Sequence, residues 1–273
     1  MNIHFFKLAT LLYLLGTLAY LTYVLLLKEF LSRTAMAIAT AGFAAHTLAL
    51  FIRYAEAGHT PVTNLYESLS FFAWMIMGVL LITHLKYKIN TLGAFLTPIA
   101  LILMVFALAL PKEILPLAPV LKSFWHPFHV IFAFLGNAIF TLTFCCGVMY
   151  LIQENQLKSK KMGAVTKRLP SLKVLDDLNY QSLKFGFPLL TLGIITGAVW
   201  AEYAWGRYWD WDPKETWSLI TWFLYAALLH QRLTVGWRGR KAAIMAIAGF
   251  LAVLFTFLGV NLILPGLHSY SNW

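Results

Sequence analysis

Residues 91–110, "TLGAFLTPIALILMVFALAL", contain no Asp, Glu, Lys, Arg or His. A bilayer's hydrocarbon core is about 30 Å thick and takes roughly 20 predominantly apolar residues to cross as a helix. The run is continuously apolar and does not alternate, so it does not read as a barrel strand, and a helix satisfies its own backbone in lipid. Comparable runs lie at about 5–27, 34–52, 66–85, 127–151, 185–202, 214–231 and 242–264. The chain has 273 residues, 60% hydrophobic and 12% charged, with a mean hydropathy of +0.72. The expected fold is an all-α integral membrane protein, one polytopic domain over 1–273 with about eight transmembrane helices.

The first run follows Lys7 and raises the question of a secretory leader. At about 23 residues it exceeds an h-region of about 7 to 15, and no small-x-small cleavage site follows, so it reads as a retained helix. Orientation comes from Lys and Arg, which concentrate in cytoplasmic loops. With the N-terminus outside, the inner loops collect Lys28 and Arg33, then Lys86 and Lys88, then Lys158, Lys160, Lys161, Lys167, Arg168, Lys173 and Lys184, then Arg232, Arg238, Arg240 and Lys241. Only Lys7, Arg53, Lys112, Lys122, Arg207 and Lys214 fall outside. Both termini are therefore expected on the extracytoplasmic side. The net charge of +10 reads as a topology signal with contact to anionic membrane lipid, and nucleic acid is not an expected partner.

The long inner stretch, 152–184, reads as a basic cytoplasmic loop, partly helical near "SLKVLDDLNYQSLK". Cys145 and Cys146 are adjacent inside a span and read as apolar filler. No Walker A loop, no strand followed by GxGxxG and no repeat of 20 to 50 residues occurs, so ATP-driven transport and dinucleotide chemistry have no support. "GIITG" at 193–197 is a small-xxx-small pattern, read as close helix packing and nothing more.

The unusual residues collect on the outer side, in the loops at 53–65, 111–126 and 203–213 and the tail 265–273. Trp200, Trp205, Trp209, Trp211, Trp217 and Trp222 are more than half of the ten tryptophans. An aromatic belt needs one or two per helix end, so this cluster reads as a floor on which a large flat apolar ligand stacks. Within "WDWDPKETW", Asp212 reads as an N-cap, Pro213 as the first helical residue and Glu215 as its capping-box partner. Arg207 and Lys214 are left available for a carboxylate such as a haem propionate. Of the eight histidines, His46 and His84 read as packing residues. His129 and His268 flank the floor on its own side, as a six-coordinate haem iron requires; a quinone pocket or simple interface histidines remain open. His230 lies about 24 Å from Lys214 along the same span, and stands as either the ligand of a second haem deeper in the membrane or an interface residue.

"WGRYWDWDPKETWSLITWFLYAALLH" at 205–230 strongly resembles the WWD motif of the haem-handling membrane proteins of cytochrome c maturation. With "NLYESLSFFAW" at 64–74, "WHPFHV" at 125–130 and "GVNLILPGLHSY" at 259–270, the likeness is to the CcsA/ResC family of System II, from about residue 46 onward. The resemblance implies that segment 203–217, with Trp205, Arg207, Trp209, Trp211, Asp212 and Trp217, binds haem on the extracytoplasmic face. It implies His129, rather than His126, and His268 as ligands of that haem, and His230 as a ligand of a haem within the membrane whose second histidine sits on a CcsB/ResB-type partner.

The activity implied is that of a holocytochrome c synthase, of the cytochrome c haem lyase type, acting as a complex with CcsB/ResB. Haem b is exported or presented for thioether attachment to the CxxCH of apocytochrome c. No catalytic acid or base is assigned, because placing a vinyl group and a thiol in fixed proximity is the main requirement. The implied location is the bacterial plasma membrane, or the thylakoid for a plastid protein. A CcmC-like haem-delivery protein without synthase activity and a quinone-reactive subunit are the alternatives.

Overall fold

The computed structural model describes residues 1–26, 28–160, 163, 167–264 and 266. Among them there is no strand. The long helices are α1 (Asn2–Leu26), α2 (Glu29–Ala57), α3 (Leu65–Tyr87), α4 (Gly93–Leu108), α5 (Trp125–Lys158), α6 (Leu172–Trp205), α7 (Pro213–His230) and α8 (Arg240–Ile263). Each expected span is a helix, and all except α7 are long and apolar enough to cross a membrane. The 18 residues of α7 include Lys214, Glu215, Thr216 and Ser218 in their first turns, which lowers their hydropathy.

Within 152–184, residues 152–158 continue α5 and 172–184 begin α6, the latter as "SLKVLDDLNYQSLK" indicates. The helices α5 and α6 have 34 residues each, about 51 Å at 1.5 Å per residue, and so outreach a hydrocarbon core of about 30 Å.

The chain divides into two compact units. The first comprises Met1–Pro116 and Ile152–Ser171. Lipid tails are as apolar as leucine, so helices there are held by close approach and polar contacts rather than by hydrophobic burial. Accordingly, Gly16 of α1 faces the backbone of Ala35 and Ala39, and Gly42 of α2 faces the Tyr13 ring. The Thr17 and Thr97 hydroxyls are 2.9 Å apart. His46 is fully buried; its Nδ1 lies 3.2 Å from the Tyr13 hydroxyl and its Nε2 2.9 Å from Ser70 Oγ. It is a packing residue, as expected.

One end of this unit is organised by a buried ion pair. Arg53 and Glu67 are 3% and 2% exposed with Arg53 Nε 2.8 Å from Glu67 Oε1. The guanidinium also donates to the carbonyls of Lys112 (2.6 Å) and Glu113 (3.0 Å). Glu67 Oε2 accepts from the Thr63 amide and hydroxyl at 2.9 and 2.8 Å, and Asn64 caps α3 by accepting from the Glu67 amide at 2.9 Å. Each guanidinium nitrogen and each carboxylate oxygen of the pair has a partner, the condition under which a buried pair is tolerated.

The second unit comprises Leu117–Leu151 and Leu172–Trp273. In its core the Phe140 and Tyr225 rings lie parallel with centroids 3.6 Å apart, while Phe144 stacks on Phe250 at 4.6 Å. Gly186 leaves space for Phe140, and Gly249 for Tyr225. At the end of α7 opposite the tryptophan segment, the Arg232 guanidinium donates to both carboxylate oxygens of Asp176 at 3.0 and 2.9 Å. The Gly239 amide donates to the same carboxylate at 2.8 Å. The helix α8 contains a π turn at Phe255–Gly259.

Losing one partner of a buried ion pair costs about 3–5 kcal/mol. Arg53→Met or Glu67→Ala alone is expected to lower the unfolding midpoint in detergent sharply. Arg53→Met/Glu67→Leu is expected to recover part of the loss, because no lone charge then remains buried; thermal unfolding of the three variants checks the order.

Candidate functional site

The tryptophan segment is a turn between α6 and α7 within the second unit. It leaves α6 at Gly206, whose φ of 73° is left-handed and suits a residue without Cβ. Arg207 NH1 and Asp210 Oδ1 pair at 2.6 Å across three residues on the exposed side. Trp209 and Trp211 meet edge to face with centroids 5.7 Å apart. Trp211 has a φ of 57° and is 69% exposed. For an L residue this conformation costs about 1–2 kcal/mol, and for a bulky one it is rare.

Glu215 holds the turn in that state. Its Oε2 accepts from the amides on either side of Trp211, Asp210 at 2.8 Å and Asp212 at 3.2 Å. Thr216 Oγ1 donates to the Trp211 carbonyl at 3.2 Å. Asp212, buried, accepts from the Lys214 amide at 3.0 Å. The capping box at Asp212 and Glu215 is therefore present, as the sequence indicates, and Glu215 has the added task of framing Trp211.

Among the cations of the turn, Arg207 pairs with Asp210 on the exposed side, and Lys214 Nζ donates to Asn261 Oδ1 of α8 at 3.1 Å.

His129 lies one turn into α5. Its Nδ1 is 2.7 Å from the Gly193 carbonyl of α6, and its ring stacks on Trp200 with centroids 5.8 Å apart and planes 20° apart. His126 packs on the same indole at 5.1 Å. Trp200 is buried, contacts Trp205 at 5.0 Å and donates its indole N–H to the Val120 carbonyl at 3.0 Å. A cleft of about 460 Å³ whose walls include Val120, Lys122, Trp125 and Tyr203 opens there.

"GIITG" does pack closely: a Cβ on Gly193 would meet the Ala133 backbone at 3.1 Å. Its second glycine, however, faces His129. Trp200 as the hub of two histidines and the role of "GIITG" beside His129 are absent from the sequence reading. A glycine pattern and an indole separated from His129 by more than sixty residues of chain carry no local signal for either.

Of the six tryptophans Trp200 is buried and Trp211 exposed, while Trp205, Trp209, Trp217 and Trp222 are half-buried. Trp217 packs on Phe255 at 4.2 Å. Trp222 donates to Thr191 Oγ1 at 2.9 Å and packs on Phe187 at 5.2 Å. His268 lies outside the described residues. Gly266, two positions before it, sits against Asp212: a Cβ there would meet Asp212 Oδ1 at 2.5 Å and Pro213 Cδ at 3.2 Å. His230 is exposed at the far end of α7, about 24 Å along the helix from Lys214, and does not join this group. Cys145 and Cys146 are buried.

Comparison with known proteins places these features in a family. The model for the cytochrome C assembly protein family matches residues 62–268. A cytochrome c biogenesis protein CcsA of Microcystis aeruginosa is 40% identical over 289 residues, covering 88% of this chain and 87% of that protein. Its namesake in Guillardia theta is 40% identical over 244 residues, covering 82% of this chain and 81% of that one. The one in Chlamydomonas reinhardtii is 44% identical over 231 residues, 82% of this chain, which spans only 64% of that protein's length. Among solved structures, the cytochrome c heme lyase CcmF superposes with a TM-score of 0.67 at 20% identity, covering 94% of this chain and 46% of that one. At that identity the likeness speaks for the fold.

Two substitutions in the turn have opposite expected signs. Trp211→Gly removes the left-handed penalty and is expected to raise stability by up to about 1 kcal/mol. Asp212→Ala removes the cap and is expected to cost about 1 kcal/mol. Thermal unfolding of both in detergent reads the difference.

Proposed function

The chain belongs to the CcsA family of cytochrome c assembly proteins, and from that premise we propose that its α5–α6–α7 end holds haem for attachment to an apocytochrome c. It is a multi-pass membrane subunit of cytochrome c biogenesis. In this reading haem b is the substrate, presented on the extracytoplasmic face with His129 and His268 on the two sides of the iron and Trp205, Trp209 and Trp211 against the ring.

The observation that carries the reading is the bond from His129 Nδ1 to the Gly193 carbonyl. A carbonyl only accepts, so Nδ1 carries the proton and the neutral ring has its lone pair on Nε2, the state in which imidazole ligates iron. Gly266 is seated on Asp212 of the same turn. Arg207 on the exposed side of the turn and Lys214 are the cations suited to a propionate, and Lys122 on the cleft wall is a third.

Haem supplies two vinyl groups, and thioether formation adds a cysteine thiol of CxxCH across each. What the chain contributes is orientation. Trp200 and the Gly193 carbonyl fix the His129 plane, the turn held by Glu215 fixes the exposed indoles, and no side chain of the site is required to move a proton. The synthase activity belongs to a complex with a CcsB/ResB-type partner. His230, exposed at the other end of α7, suits a ligand of a second haem shared with a histidine of that partner.

The test is the visible spectrum of the purified protein reduced with dithionite, alone and co-expressed with a CcsB-type partner. A low-spin bis-histidine haem is expected. His129→Ala and His268→Ala are each expected to weaken or alter it and abolish holocytochrome c formation, with added imidazole restoring part. Normal protein levels with no haem in either preparation would remove the reading.

A further inference from the structure

The motif "GIITG" has a second use beyond helix packing. Gly193, Gly197 and Trp200 fall at positions i, i+4 and i+7 of α6 and so share one face, and His129 lies on that face. Gly193 contributes its carbonyl, 2.7 Å from Nδ1. Trp200 contributes its indole, stacked on the imidazole. Gly197 contributes room: a Cβ there would stand 2.6 Å from His129 Nδ1 and 2.8 Å from Cε1, closer than real Cβ contacts come.

We infer that Gly197 and the Gly193 carbonyl are positioning elements for His129, forming a cradle that admits the imidazole, fixes its proton on Nδ1 and aims Nε2 at the iron. This rests on the reading of His129 as a haem ligand and adds what makes that histidine a ligand. The cradle belongs to the backbone of α6. Donating the distal N–H to a carbonyl raises the basicity of the ligating nitrogen, and loss of such a partner typically costs 10- to 100-fold in metal affinity.

A third glycine separates this role from packing. A Cβ on Gly136 of α5 would stand 3.1 Å from the Leu190 amide nitrogen of α6, which disturbs the packing of the same two helices without entering the His129 slot. Gly197→Ala drives the ring out of its slot. Titration of the purified protein with hemin is therefore expected to show affinity reduced at least about tenfold in Gly197→Ala, with an altered reduced spectrum, whereas Gly136→Ala keeps the wild-type spectrum. In a His129→Gly background, Gly197→Ala is expected to cost nothing further, since the ring it displaces is gone.

A readout without haem accompanies these. In the haem-free protein labelled with ¹⁵N-histidine, the His129 signal, assigned by its loss in His129→Gly, is expected to be that of the Nδ1–H tautomer. That tautomer is expected to disappear in Gly197→Ala and persist in Gly136→Ala. An Nε2–H tautomer in the wild type, equal damage from Gly136→Ala and Gly197→Ala, or wild-type hemin affinity in Gly197→Ala would each overturn the cradle. Wild-type protein that binds no hemin but shows the expected tautomer pattern would leave the cradle's geometry standing and overturn its role as a haem-ligand support together with the functional reading.

Discussion

A peptide group inside hydrocarbon has no water to bond, and each one left unsatisfied costs several kcal/mol. That constraint turns the apolar runs into helices. It also drives the residues that carry chemistry to helix ends, where side chains find polar partners. In the second unit the consequence is a site made largely of backbone: the Gly193 carbonyl takes the His129 proton, and the amides of Asp210 and Asp212 are gathered by one carboxylate oxygen of Glu215. Side chains supply the rings, and the helices determine where those rings point.

Both units answer this constraint with polar contacts and with shape. In the first, the His46 imidazole sits between Tyr13 and Ser70, and Arg53 answers Glu67 and two carbonyls together. Shape serves both units. Small residues let rings approach backbone, as Phe140 does at Gly186 and His129 at Gly197. Removing Cβ at such positions costs helix propensity, and what is gained is a slot that fits one side chain.

The spans were legible because hydropathy over twenty residues is a local sum. The capping box was legible because Asp212 and Glu215 are three residues apart. The helical start of α6 was legible in "SLKVLDDLNYQSLK", whereas the extension of α5 over 152–158 was less so, since those residues are largely polar and read as loop in a hydropathy scan. Arg53, taken singly, counted only as a charge for topology; its partner Glu67 is fourteen residues away and the accepting carbonyls about sixty. The linkage of His129 to Gly193 spans sixty-four residues, so the pattern marked a packing helix without saying what packed.

The π turn at Phe255–Gly259 adds one residue to a turn of α8, and a single residue in a helix is worth about 100° of rotation. Everything beyond it, Asn261 and then the approach of Gly266 to Asp212, inherits that angular offset. Gly259 admits the Phe255 ring, which in turn packs on Trp217, so the wider turn has its own support. The direction in which Asn261 points is thus an integer property of the chain. A side-chain exchange leaves that angle as it is, whereas gain or loss of a single codon here would turn Asn261 away from Lys214.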